Sequence, residues 1–189
     1  VPVRIRHPRE ALASGLGLVP EERKREGLLF NFAIRENITL HSLEAVSRGL
    51  VISRQKENAA AGRYRDDFSI RAGSVDIPVL NLSGGNQQKV VLSKVLMAKP
   101  RVLLLDEPTK GVDVGAKAEI YKLIIALADA GMGVIVISSD LVELITLSDR
   151  IVVLAGGRIA DEFMKAEASE ERVMLAATGG TTRGIAPNT

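Results

Sequence analysis

Two short stretches carry residue types suited to handling phosphate. In LSGGNQQK, residues 82–89, Ser83, Gly84 and Gly85 stand directly before a helix-forming run. Glycines at a helix start let backbone N–H groups approach an oxyanion, the serine hydroxyl adds a donor, and the positive end of the helix favours a terminal phosphate. In VLLLDEPT, residues 102–109, an apolar strand ends in Asp106 and Glu107. A carboxylate at the carboxyl end of a strand can organise Mg²⁺, which takes oxygen ligands octahedrally and keeps several waters. Glu107, one residue on, is placed to polarise a water for in-line phosphoryl transfer. Taken singly, SGG reads as a turn and DE as a strand-end acidic pair. Together, at this separation, they point to phosphate chemistry.

The elements that must hold these residues follow from periodicity and breakers. Pro8 starts a short helix over 8–13 that ends at Ser14-Gly15, and 16–19 forms a short strand stopped by Pro20. EERKREG, 21–27, reads as an exposed charged loop. Ile38, Leu40, Leu43, Val46, Leu50 and Val51 recur mostly at three- and four-residue steps, so 28–61 reads as a mainly helical insertion with one buried stripe. Residues 63–78, broken by Gly73 and Pro78, read as a linker. Asn81 and Ser83 are capping types, and a helix is expected over 87–97, stopped by Lys99-Pro100.

Beyond the strand at 102–105, Gly111 and Asp113 in TKGVD form a polar turn suited to capping a helix over 114–128. A buried strand over 134–137, a short helix with an Asp140/Glu143 capping box and a strand over 151–154 follow. A Gly156-Gly157 turn leads into a partner strand at 158–160, and a last helix lies near 169–176. The tail GGTTRGIAPNT is expected to fray. Strands alternating with helices across 101–154 give an α/β sheet flanked by helices. Its strand ends would set Ser138 and Ser139 beside Asp106 and Glu107.

A length of 189 residues fits one domain with a real core, and 46% apolar with 25% charged residues is ordinary globular composition. The balance of 25 basic and 23 acidic residues leaves a net charge of +2, which says little about DNA or RNA, while the aromatic content of 3% argues against recognition of single-stranded nucleic acid by stacking; no nucleic-acid partner is expected. Basic residues crowd at 4–9 and 23–25; they read as solvated faces or as contacts with anionic lipid or a partner. Without cysteine there is no disulfide or thiol chemistry, and His7 and His41 lack the spacing of a metal pair. No stretch approaches 18 continuous apolar residues, so no membrane span or signal core is expected.

Five stretches now support a family resemblance: VPEERKREGLLFNFAIRENI from Val19, LSGGNQQKVVLSKVLM from Leu82, LLLDEPTKGVDVGAKAEIY from Leu103, VIVISSDLVEL from Val134 and SDRIVVLAGGRI from Ser148. Over nearly its whole length the chain resembles the C-terminal nucleotide-binding domain of the fused, two-domain ATPases of bacterial sugar ABC importers of the ribose/galactose/xylose type. The resemblance implies an α/β fold, a partial ABC-type P-loop NTPase domain with a helical signature subdomain. By position, Ser83, Gly84, Gly85, Asn86 and Gln87 match the signature loop, which contacts nucleotide held mostly by a facing domain. Asp106 matches the Walker B aspartate, Glu107 the catalytic glutamate and Asp113 the D-loop aspartate. Glu21 stands where many relatives have the Q-loop glutamine, near Mg²⁺ and the permease contact, and Ser139 occupies the position of the switch histidine.

The last two residues depart from the general pattern: glutamate lacks the amide donor, and serine lacks imidazole's reach and titration. The C-terminal copies of this subfamily resemble the chain in being degenerate. No GxxxxGK[ST] run occurs in the sequence, so the Walker A loop that cradles α/β-phosphates is absent from these residues. The resemblance therefore implies a truncated domain, in which the edge of the core occupies 1–20, the Q-loop region, helical subdomain and signature helix 21–100, the Walker B and C-terminal core 101–178 and a flexible tail 179–189.

The implied reaction is ATP hydrolysis with Mg²⁺ to drive sugar import, with the isolated chain expected to be inactive. The implied partners are an N-terminal ATPase domain of the same or another chain, a transmembrane sugar permease and, indirectly, a periplasmic or lipoprotein sugar-binding protein. The implied place is the cytoplasmic face of the cell membrane. The alternative is a non-catalytic domain donating signature and permease contacts. A DNA-repair or translation branch of the family would show coiled-coil insertions or extended basic surfaces, which the sequence lacks.

Overall fold

The computed structural model describes residues 4–180. The chain forms two compact units, Val1–Ile135 and Val136–Thr189. In the first, helix α1 (Pro8–Ala13) begins on Pro8, whose missing N–H costs nothing there, and ends before Gly15, whose φ of +82° suits only glycine well. Strand β1 (Leu16–Val19) follows. It pairs in parallel with β4 (Val102–Asp106), Leu16 opposite Val102 and Val19 opposite Leu105. Strand β5 (Gly133–Ile137) completes the order β1-β4-β5.

Parallel neighbours need a crossover, and here it spans the helical region. Asn37, at 0% exposure in α2 (Ile34–Thr39), pins the incoming loop: its Oδ1 accepts from Leu29 N–H at 2.8 Å and its Nδ2 donates to the Ala33 carbonyl at 3.1 Å. A 3₁₀ turn, Leu40–Ser42, leads to α3 (Leu43–Val46), then to a hairpin of β2 (Ser47–Arg48) and β3 (Val51–Ile52), then to α4 (Arg54–Asp67). Arg35 joins α2 to α4 and the following loop through Glu57 at 3.0 Å and Asp76 at 2.8 Å.

This region departs from the single helical stripe expected. Ile38 and Val46 are buried, but Leu40, Leu43, Leu50 and Val51 are exposed. The chain turns at Gly49, with φ +63°, and Leu50 and Val51 fall on the hairpin rather than on a helix face. The expected linker at 63–78 is also shorter, because α4 continues through Asp67. Within the expected charged loop, Arg23–Gly27 winds into one π-helical turn whose end, Gly27, is buried.

Helix α5 (Gly84–Leu96) is the centre of this unit: every residue from Gln87 to Leu96 is buried. It lies against β1 so closely that a Cβ on Gly17 would stand 2.6 Å from Val95 Cγ1. Two of its buried polar groups bond to carbonyls, Ser93 Oγ to that of Lys89 at 2.7 Å and Lys94 Nζ to that of Gly27. Burial lowers the Lys94 pKa. Helix α6 (Val114–Asp129) buries Ile120 and Ile124. Strand β5, expected to be buried, has no buried residue, because it ends the sheet order formed by the described residues.

The second unit packs α7 (Leu141–Leu147) and α8 (Glu170–Ala177) with an antiparallel hairpin of β6 (Arg150–Ala155) and β7 (Arg158–Met164). Gly156 and Gly157, at φ +56° and +74°, make the turn. Ile151, Val153, Phe163, Val173 and Ala176 form its core. Strand β6 thus pairs with β7 as a separate sheet, and β7 runs four residues beyond the expected 158–160 because it matches the full length of β6. Residues 181–189, most of the expected fraying tail, lie outside the described residues. No helix among the described residues is long and apolar enough to cross a membrane.

Candidate functional site: the signature helix start and the acidic strand end

Ser83 is the N-cap of α5, in extended backbone at φ −63° and ψ 159°, with Gly84 and Gly85 in the first turn. The structure supplies a packing reason for both glycines. A Cβ on Gly85 would overlap Ala116 Cβ, where α5 meets α6, and a Cβ on Gly84 would sit 3.0 Å from both an Arg23 guanidinium nitrogen and the Gly111 carbonyl. Backbone approach to a ligand and close helix packing therefore make the same demand.

The side chains around this helix start are held by specific bonds. Asn86 Nδ2 donates to Ser83 Oγ at 2.9 Å, and Arg71 N–H donates to Asn86 Oδ1 at 2.9 Å. Gln87 Nε2 donates to the Leu82 carbonyl at 3.0 Å, so its amide braces the loop from inside. Asp113 caps α6, its Oδ1 accepting from Ala116 N–H at 2.9 Å. Ser83, Asn86 and Asp113 line one polar cleft of about 120 Å³, with Arg71 and Glu119 at its wall. Behind them the fully buried Lys89 reaches Glu119 Oε2 at 2.7 Å and the Ser69 carbonyl at 3.2 Å, while Arg71 takes the other Glu119 oxygen at 2.8 Å. The hydrogen bond and charge of Lys89 hold the Glu119 carboxyl below the usual range.

The acidic side lies at the carboxyl ends of β1 and β4. Asp106 closes β4 and is half-buried; Glu107 adopts φ +47°, a left-handed conformation that non-glycine residues rarely take. Glu21, just past β1, is at the same edge of the sheet, and its carboxylate accepts from Lys110 Nζ at 2.5 Å. That bond raises the Lys110 pKa. Among the described residues no three His, Asp or Glu side chains converge as a metal cluster. The donors on offer are strand-end carboxylates, a set that fits Mg²⁺ whose remaining ligands are phosphate oxygens and water. Of the two residues matched to metal contact, Asp106 suits that use directly, and Glu21 is engaged by Lys110.

Arg23 was read as part of a charged loop and does more. Its guanidinium donates to the Lys110 carbonyl at 2.5 Å and the Gly111 carbonyl at 3.0 Å, tying the 23–27 turn to TKG. Burial, opposed by the charge of Glu22, lowers its pKa. Lys24, Phe30, Leu80, Gly84, Gln87 and Gly111 join Arg23 around a cleft of about 550 Å³. Ser139, in the second unit, lies between β5 and α7; beside it Asp140 caps α7 by accepting from Glu143 N–H at 3.2 Å. Lys89, Arg71 and Glu119 escaped the sequence reading. Their one signal was charge inside otherwise apolar, closely packed motifs.

The sequence model of the ABC transporter family matches residues 4–110. The chain belongs to this family. It is 54% identical over 172 residues to the ribose import ATP-binding protein RbsA 2 of Rubrobacter xylanophilus, covering 91% of this chain and 33% of that protein. It is 49% identical over 178 residues to the xylose import ATP-binding protein XylG of Moorella thermoacetica, covering 94% and 35%. The chain thus spans about one third of the length of these relatives. Among solved structures, the dimeric ATP-binding cassette MJ0796 bound to ADP and phosphate superposes with a TM-score of 0.67 at 24% identity, covering 80% of this chain and 63% of that one. That likeness establishes the α/β ABC cassette fold.

Proposed function

We propose that this ABC chain forms part of the ATP-hydrolysing subunit of a sugar importer, of the fused two-domain type, at the cytoplasmic face of the membrane. In this reading it supplies halves of two sites. The start of α5, with Ser83 and the first-turn N–H groups, closes over ATP presented by a facing ATPase domain. The observation that carries this is the arrangement of Ser83, Asn86 and Asp113 around one polar cleft at a helix N-terminus. Asp106 and Glu107 serve the other site. Asp106 would hold Mg²⁺, which neutralises developing charge on the phosphates when bound. Glu107 orients a water and accepts its proton, and Ser139 stands in the second unit as a degenerate switch position. The amide-less Glu21 and the short Ser139 both favour slow hydrolysis at this second site.

A second reading, a domain that donates the signature loop and permease contacts without catalysis, rests on glutamate at Glu21 and serine at Ser139, where an amide and an imidazole would serve hydrolysis better. Turnover by the chain assembled with a partner ATPase domain separates the two, since Glu107→Gln should lower it in the first reading and leave it unchanged in the second; titration calorimetry with Mg-ATP tests the half-site that both share. Weak binding and negligible turnover by the chain alone, with turnover restored by a partner ATPase domain and lost in Ser83→Ala, support the donated half-site. Micromolar binding and turnover by the chain alone, abolished in Glu107→Gln, overturn it. Leu29, Phe32 and Leu80 are exposed, and Lys24 shares a cleft with Leu80; we assign this region to the sugar permease. Crosslinks from Phe32 that reach no permease helix in the assembled transporter would refute that assignment. The sugar itself is chosen by the permease and its binding protein in this scheme.

A further inference from the structure

As the N-cap of a helix, Ser83 would ordinarily use its hydroxyl to accept from the first-turn N–H groups, yet it makes no such bond. Its Oγ accepts instead from Asn86 Nδ2 at 2.9 Å. A third partner fixes the direction of that bond. The Arg71 peptide N–H can only donate, and it donates to Asn86 Oδ1 at 2.9 Å, so the amide oxygen faces Arg71 and the amide nitrogen faces Ser83. A serine oxygen that receives a donor turns its own O–H away from it. Ser83 and Asn86 both line the cleft shared with Asp113, where a hydroxyl turned away from Asn86 can meet a ligand.

We propose that Asn86 is a positioning residue: anchored on the Arg71 peptide, it holds the Ser83 hydroxyl as an outward donor for the terminal phosphate of a nucleoside triphosphate. This rests on the reading of the signature loop as half of a site completed by a facing domain. Asparagine is the side chain that fits both ends of this relay. An aspartate of the same shape would keep the bond from Arg71 but offer Ser83 a second oxygen. The hydroxyl proton would then turn inward, and a negative charge would stand beside the incoming phosphate. Alanine would leave the hydroxyl free to rotate.

The test measures association of the chain with an ABC ATPase domain that carries its own glycine-rich phosphate loop and is loaded with Mg-ATP. Ser83→Ala is expected to weaken association about tenfold, the scale of one charge-assisted hydrogen bond. Asn86→Asp should weaken it at least as much, and Asn86→Ala about fivefold. On the Ser83→Ala background, Asn86→Ala should add nothing, since its effect passes through the hydroxyl. If wild type associates no more tightly than Ser83→Ala, the half-site reading itself fails. If Ser83→Ala weakens association but Asn86→Asp does not, or Asn86→Ala costs the same factor with and without Ser83, the positioning role is overturned. An unaltered melting midpoint shows that Asn86→Asp is folded; should it unfold, the alanine cycle decides alone.

Discussion

Replacing Glu119 by glutamine leaves the shape of the α5–α6 contact intact and removes one charge from it. Lys89 is 2% exposed and its ammonium lies 2.7 Å from Glu119 Oε2, so the surviving cation would be buried with the Ser69 carbonyl and a neutral amide oxygen. At an effective dielectric near 20, unit charges about 4 Å apart, a separation that allows for the carboxylate charge being shared by two oxygens, attract by about 4 kcal/mol. Glu119 is 40% exposed, so water screens roughly half of that, and Glu119→Gln should cost about 2 kcal/mol. With a urea slope of about 2 kcal/mol/M for a chain of this size, the denaturation midpoint should fall by about 1 M. Lys89→Met removes the buried charge itself and should cost less than about 1 kcal/mol; adding Glu119→Gln to it should change little. A midpoint shift under about 0.3 M for Glu119→Gln, or additive costs in the double variant, would refute the claim that this pair acts as a unit.

The same pair predicts a pH dependence. Because Lys89 holds the Glu119 carboxyl below its usual range, its stabilisation is complete above that range and is lost as the pH falls through the lowered value. Denaturation midpoints followed from pH about 6 to about 3 should therefore drop more in wild type than in Glu119→Gln. Gly85→Ala should cost about 1–3 kcal/mol by overlap with Ala116, and Gly85→Ala combined with Ala116→Gly should recover most of it in the same melts. Arg23→Gln should speed amide exchange across 110–113 by loosening the TKG turn, and Arg23→Lys should not restore it, since one ammonium cannot reproduce a forked contact with two carbonyls.

Local grammar made much of this protein readable from its residues. Pro8 at a first helical position, Ser83 and Asp113 as N-caps, Gly156-Gly157 as a hairpin turn and the apolar run ending in Asp106 all occupy the expected places, because each choice depends on a few neighbouring backbone groups. The helical insertion misled for the complementary reason. Residues 38–51 have helical spacing, yet the chain breaks at Gly49 and exposes Leu50 and Val51, and nothing within that window records which face meets a neighbour. Burial of β5 failed likewise, since an apolar run does not reveal whether it will end a sheet.

The site divides along the same line. Sequence alone determined the chemical inventory: two glycines behind a serine, two carboxylates at a strand end, and the family to which that order belongs. Tertiary structure decided how those groups are held. Lys89 and Glu119 lie 30 positions apart, Arg23 and Gly111 88 apart, and Arg71 and Asn86 15 apart. Their bonds exist because α5, α6 and the turns at 23–27 and 109–113 pack against one another. A hydrogen bond or a buried ion pair depends on distance and exclusion of water, and both are properties of the packed chain rather than of any segment within it.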